Sequence, residues 1–169
     1  YFPEPDLAPV APDPAWVEEL RQTLPEPPAE RRKRLQAEWG FNDLDMRDTI
    51  GAGALDLVAD TVAAGAAPAA AKKWWLGELA RTANEQGTDV SALPITPVQV
   101  AEIQSMIDAG RLNDKLARQV FVGVLAGEGT PDEVVAARGL EVVSDDGALS
   151  AAVDRAIEND PAAVQKIRD

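Results

Sequence analysis

Helix starts and stops follow one another along this chain so closely that little room is left for any other element. Asp13-Pro14 can cap and begin a helix that runs to Leu24, with Trp16, Val17, Leu20 and Leu24 on one face. Pro25, Pro27 and Pro28 end it and open a second over Ala29 to Trp39, after which Gly40 suits the left-handed residue beyond a helix C-cap. Asn42 caps a short third segment. Residues 52–64 have Leu55, Val58, Ala59 and Val62 spaced for one buried face and are closed by Gly65. Pro68 opens a longer helix whose apolar stripe is Ala71, Trp75, Leu79 and Ala83 and whose stop is Gly87. Thr96-Pro97-Val98-Gln99 and Thr130-Pro131-Asp132-Glu133 both read as capping boxes with proline at the first helical position. Behind the first lie Val100, Ile103 and Ile107, stopped by Gly110; behind the second lie Val134 and Val135, stopped by Gly139. Between them Asn113 caps a helix carrying Leu116, Val120 and Val124, which ends at Gly127. Ser144 caps a further helix with Leu149, Val153 and Ile157, and Asp160-Pro161 opens a last one with Val164 and Ile167.

Period-two alternation is nearly missing. Leu140 to Val143 is the one stretch that could be extended, and it is too short to build a sheet. The fold class is therefore all-α: a multi-helix bundle followed by a small, truncated helical tail domain. Residues 1–13, with Pro3, Pro5, Pro9 and Pro12, form an extended linker, because proline fixes φ and donates no hydrogen bond. The helical domain is expected over 14–143 and the tail over 144–169, with the boundary near residues 140–145. The chain begins at Tyr1 and stops at Asp169 inside a helical pattern, which is what a piece of a longer protein would show.

Which chemistry such a bundle could perform is bounded by what it lacks. It contains neither cysteine nor histidine. That excludes disulfides, thiol nucleophiles, imidazole bases and His/Cys metal sites, so no catalytic residue and no metal ligand is assigned. Gly51-Ala52-Gly53 has part of the outline of a phosphate loop, but no strand precedes it and the third glycine is missing, so it reads as a loop between helices. The carboxylate pairs Glu18-Glu19 and Asp145-Asp146 are adjacent in sequence, and adjacent helical residues point apart; they read as solvated helix-start charges. Trp75 falls on the apolar stripe and belongs to the core; Trp74 could lie at its edge, where an exposed ring could stack on a base, but core packing is the favoured reading of the pair. No apolar run is long enough to cross a bilayer, which reads as a soluble, cytoplasmic chain.

The net charge of −13 argues against tight autonomous binding to a nucleic acid, because each phosphate contact needs a Lys or Arg. Basic residues are correspondingly few and clustered. Arg31, Arg32, Lys33 and Arg34 form a run; Lys72 and Lys73 precede the two tryptophans; Arg111, Lys115 and Arg118 follow helical spacing, the last two on one face; Arg155 stands in the tail. A solvated face accounts for most such groups, but against so acidic a background a positive patch is a candidate docking place for phosphate. The candidate phosphate-contacting residues are Lys72, Lys73, Arg111, Lys115, Arg118 and Arg155.

Several strings carry a resemblance. Tyr1-Phe2-Pro3-Glu4-Pro5-Asp6-Leu7, Leu24-Pro25-Glu26 with Pro28-Ala29-Glu30-Arg31-Arg32, Lys73-Trp74-Trp75-Leu76-Gly77-Glu78-Leu79, Pro94-Ile95-Thr96-Pro97 and Ser144-Asp145-Asp146-Gly147-Ala148-Leu149 occur in order. Together they resemble the C-terminal helical region and YqeY-like tail of the B subunit of the bacterial aspartyl/glutamyl-tRNA(Asn/Gln) amidotransferases. The resemblance implies a part of a carbon–nitrogen ligase that amidates misacylated Glu-tRNA(Gln) or Asp-tRNA(Asn) with glutamine-derived ammonia. It implies ATP and Mg2+ in the full enzyme but no cofactor in this region. The implied partners are tRNA(Gln) or tRNA(Asn) and the A and C subunits of the amidotransferase, with neither membrane nor DNA. In that family the tail continues beyond the position matching Asp169 into a Gly- and Lys-rich stretch that this chain does not contain. A different class of reading, a free-standing YqeY-type helical module that docks a protein through an apolar groove, would have no tRNA role.

Overall fold

The computed structural model describes residues 10–142 and Arg155. Among them the backbone is helical or looped, with no strand. The helices are α1 (Pro14–Thr23), α2 (Pro28–Trp39), α3 (Asp43–Gly51), α4 (Leu55–Ala63), α5 (Pro68–Lys73), α6 (Ala80–Gln86), α7 (Pro97–Asp108), α8 (Asp114–Leu125) and α9 (Pro131–Arg138). A π-helical segment (Trp74–Leu79) joins α5 to α6 without a break, and a 3-10 turn (Val90–Ala92) precedes α7. No described helix is long and apolar enough to cross a membrane. The helices expected from Ser144 onward lie outside the described residues.

Contacts divide the chain into two compact units, Tyr1–Asp48 and Thr49–Asp169. In the first, Asp13 caps α1 by accepting a hydrogen bond from the Ala15 N–H at 2.8 Å. The α1 stripe is present but α1 buries no residue: Trp16 is 54% and Leu24 70% exposed. Gly40 ends α2 at φ 66°, a left-handed conformation that a Cβ would penalise. Asn42 caps α3 by accepting from the Asp45 N–H at 2.8 Å. Leu35, Phe41 and Met46 are buried.

The second unit holds the main core. The helix from Pro68 to Gln86 is its axis: α4 packs against α5, and α7 packs against α4, α5, α8 and α9. Ala71, Trp75, Leu79 and Ala83 are all buried, as their spacing predicts. Trp74 is buried as the favoured core reading has it, 1% exposed like Trp75, and does not lie at the edge of the stripe. Adjacent helical residues point about 100° apart, so both rings can be covered because this helix has neighbours on two sides. Trp75 Nε1–H donates to Thr61 Oγ1 on α4 at 2.8 Å, while Trp74 Nε1–H donates to Gln104 Oε1 on α7 at 2.7 Å. The Thr61 hydroxyl in turn donates to the Leu57 carbonyl at 2.7 Å, and Gln104 Nε2 donates to Asp108 Oδ1 at 2.7 Å. Each indole is thus satisfied by a buried polar group that is itself satisfied.

Other expectations shift by small amounts. α4 begins at Leu55, later than the residue 52 that the pattern predicts, because Gly51 to Ala54 are used to close α3. Gly53 turns at φ 65°, and the Gly53 and Ala54 N–H groups return to the Ile50 and Thr49 carbonyls. The glycine pair is thus the C-terminal turn of α3. On α4 the fully buried positions are Val58 and Thr61, with Leu55, Ala59 and Val62 half-buried. Leu116 on α8 and Ile107 on α7 are likewise half-buried, and the deep positions of α8 are Ala117, Val120, Phe121 and Val124.

Both capping boxes form. The Thr96 N–H donates to Gln99 Oε1 at 2.9 Å and the Thr130 N–H to Glu133 Oε2 at 2.8 Å, with the return bonds to each threonine hydroxyl in place. They differ in charge. The Thr130 backbone and hydroxyl donors hold the Glu133 carboxyl below its ordinary value of 4.5, and the Arg138 guanidinium does the same for Glu128. A carboxylate depressed in the folded state stabilises it above the ordinary value, and that contribution is lost as pH falls through the depressed one. The second unit is therefore expected to lose stability progressively below pH 4.5. Glu133→Gln, which keeps a capping-box acceptor without the charge, should flatten that acid limb. Urea midpoints of both proteins across the acid range test this; parallel acid limbs would refute it.

Candidate nucleic-acid interface

The candidate cations sort into three situations. Lys73 closes α5 and Asp114 opens α8; the Lys73 ammonium is hydrogen-bonded to the Asp114 carboxylate and also lies 4.5 Å over the Trp74 ring. One turn further on, Arg118 Nε of α8 meets Glu78 Oε2 of the π segment at 3.3 Å. The other Glu78 oxygen is held by Arg81 Nη2, and Arg81 Nη1 continues to Glu85 Oε1 at 2.8 Å. The Glu78 and Glu85 carboxylates hold the Arg81 guanidinium above its ordinary range. A ladder of alternating charge therefore links the helix from Pro68 to Gln86 with α8. Beyond its last rung a groove of about 430 Å3 opens, lined by Arg81, Glu85 and Gln86 on one side and Val122, Leu125 and Ala126 on the other.

Lys115, one residue beyond Asp114, is exposed, and among the described residues no hydrogen bond or ion pair engages it. Arg111 is committed elsewhere. Its Nη1 and Nη2 reach Asp132 Oδ1 at 3.1 Å, Nη2 also reaches Glu141 Oε1 at 3.4 Å, and its carbonyl accepts from the Val142 N–H at 2.9 Å. Those two carboxylates raise the Arg111 guanidinium above its ordinary value. Arg111 thus ties the stretch after α9 to the turn between α7 and α8. Lys72 is half-buried and engaged. Arg155 is exposed, and its chain neighbours on both sides lie outside the described residues.

The structure places Lys73 on α5 and Lys115 and Arg118 on α8, and commits Arg111 to Asp132 and Glu141. In the first unit the basic run is largely spoken for. Arg34 is chelated by Glu26 and Glu38, Lys33 pairs with Glu30 at 3.1 Å, and Arg31 is engaged as well. Exposed pairs of this kind contribute little to stability, but they neutralise charge that would otherwise meet a polyanion.

The acidic partners Glu78 and Asp114 were not singled out in sequence. The spacing of Glu78, Arg81 and Glu85 is a readable helical pattern; the pairing of Lys73 with Asp114, 41 residues away, is not. Among the described residues no group of three or more Asp or Glu side chains is gathered where it could hold a metal ion. A second cleft, of about 290 Å3, has Asp89 as its one charged lining residue, whereas general acid/base work needs a pair in distinct environments.

A family profile described as the GatB domain matches residues 56–169. The chain is similar to the aspartyl/glutamyl-tRNA(Asn/Gln) amidotransferase B subunit of Nocardioides sp., 69% identical over 169 residues, which is 100% of this chain and 34% of the relative. It is similar to the protein of the same description from Kineococcus radiotolerans, 64% identical over 168 residues, 99% of this chain and 33% of that one. The relative from Thermobifida fusca is 60% identical over 169 residues, with 100% and 33% covered. The chain therefore spans about a third of the length of the curated relatives it matches.

Proposed function

Since the chain belongs to the GatB domain family, we propose that it is the tRNA-positioning region of the B subunit in an ATP-dependent aspartyl/glutamyl-tRNA(Asn/Gln) amidotransferase, working in the cytoplasm. The observation that carries this reading is the end-to-end match to proteins of that description, at 69% identity over 169 residues. The complete enzyme amidates misacylated Glu-tRNA(Gln) or Asp-tRNA(Asn): its A subunit releases ammonia from glutamine, its B subunit performs the amidation, and its C subunit joins the two. ATP with Mg2+ supplies the activation of the side-chain carboxylate there. The donor groups described in this chain do not fit that metal, so no step through it is derived from them. Its own contribution is to hold the tRNA, through exposed cations of the α5–α8 face. The chain's overall charge of −13 makes that contact local.

Hydrogen exchange on the assembled enzyme tests the reading. Adding tRNA(Gln) is expected to slow amide exchange within residues 49–142. Unchanged exchange there, while tRNA is bound elsewhere on the enzyme, would refute it.

A further inference from the structure

Resting on that reading, we propose that Glu78 is a positioning residue: it fixes Arg118 through its Nε, so that the two terminal amino groups of Arg118, with Lys115, form a binding pair for one RNA phosphate. The arginines of this chain differ in how their guanidinium groups are used. The terminal amino groups of Arg34, Arg81 and Arg111 are taken by carboxylates, and those of Arg138 by Glu128 and the Gln119 carbonyl. Arg118 is ion-paired with Glu78, Nε to Oε2 at 3.3 Å, and among the described residues its terminal amino groups donate no hydrogen bond. Glu78 is a firm anchor, since its side chain is only 13% exposed and its second oxygen is held by Arg81.

A guanidinium drawn to a carboxylate on its Nε side is left with two parallel terminal N–H donors, the geometry that matches two phosphate oxygens. Lys115 lies three residues earlier on the same helix face and adds a point charge beside it. A carboxylate that serves an anion site reverses the simple electrostatic expectation. Removing a negative charge near a polyanion ordinarily tightens binding; removing this one releases Arg118 and weakens it.

The test uses the assembled enzyme, its B subunit full-length, and a deacylated tRNA(Gln) transcript, with Kd measured over a range of salt. Glu78→Gln is expected to weaken binding roughly threefold to tenfold. The double variant Lys115→Ala/Arg118→Ala should flatten the slope of log K against log salt by about one per lost contact. Arg118→Lys keeps the charge but replaces the planar fork with a single ammonium, which cannot pair with Glu78 and also present two parallel N–H donors to a phosphate, and should lose as much as Arg118→Ala; it keeps the test decisive if Glu78→Gln fails to fold. Glu85→Gln removes a carboxylate that holds Arg81 alone, and should leave Kd unchanged or lower it. Binding by Glu78→Gln as tight as wild type or tighter would overturn the proposal. If tRNA still protects amides of residues 49–142 in that case, only the role of Glu78 falls; if it protects none, the tRNA-positioning reading falls with it.

Discussion

Replacing Trp74 with alanine is expected to lower the unfolding free energy of this chain by about 3–5 kcal/mol, the range for deleting a large, fully buried ring. The ring is 1% exposed and lies 4.9 Å, centroid to centroid, from Phe121 of α8. Its N–H is also the donor that satisfies Gln104 on α7, which is itself 8% exposed. Truncation therefore opens a cavity where three helices meet and leaves a buried amide oxygen without its donor. Trp74→Phe separates the two effects, because it keeps most of the volume and removes only the donor; about 1–3 kcal/mol is expected for it. Equilibrium urea denaturation measures both. A loss below about 1 kcal/mol for Trp74→Ala would mean that the ring is not part of the core, since surface substitutions stay within about 0.5 kcal/mol.

Gly123→Ala should destabilise although it replaces a glycine in the interior of a helix, where alanine is ordinarily favoured by about 1 kcal/mol. A Cβ at residue 123 of α8 would stand 2.5 Å from Val134 Cγ1 and 3.1 Å from Glu128 Oε2. Val134 is fully buried, and a β-branched side chain has little rotameric freedom to withdraw, so α9 would have to move. Overpacking of this kind costs about 1–3 kcal/mol. Gly77, in the exposed part of the π segment, has nothing within 4 Å of its would-be Cβ. Gly77→Ala should therefore stabilise by about 0.5–1 kcal/mol. Opposite shifts of the urea midpoint are the expected result. Two shifts of the same sign would show that propensity outweighs contact at residue 123, or that the π segment needs its glycine.

Much of this organisation was legible because it is local. A cap, a proline at the first helical turn and a left-handed glycine stop act within four or five residues, so Asp13, Asn42, Thr96, Asn113 and Thr130 announce helix starts before any packing exists. The same holds for the stripe of Ala71, Trp75, Leu79 and Ala83, which a single period reveals. The π segment was not legible, since the pattern across it reads as one uninterrupted helix, and the pattern starts α4 too early because the same glycines can end one helix or lead into the next.

The candidate interface was legible in part. Lys73, Lys115 and Arg118 could be named, because cations are sparse and grouped in so acidic a chain. That Arg111 would be spent on Asp132 and Glu141 could not be read, nor that Glu78 would hold Arg118, because the partners come from other helices.

Sequence by itself determined the helical class, the helix starts and stops, and the absence of thiol or imidazole chemistry, all of which depend on residue identity and on interactions a few residues long. Tertiary structure decided which helices cover each tryptophan, that a Cβ at residue 123 would meet Val134, and which cations are paired with carboxylates. Those outcomes depend on what a neighbouring helix places within a few ångströms, and segments that far apart in the chain meet only through packing of the whole unit.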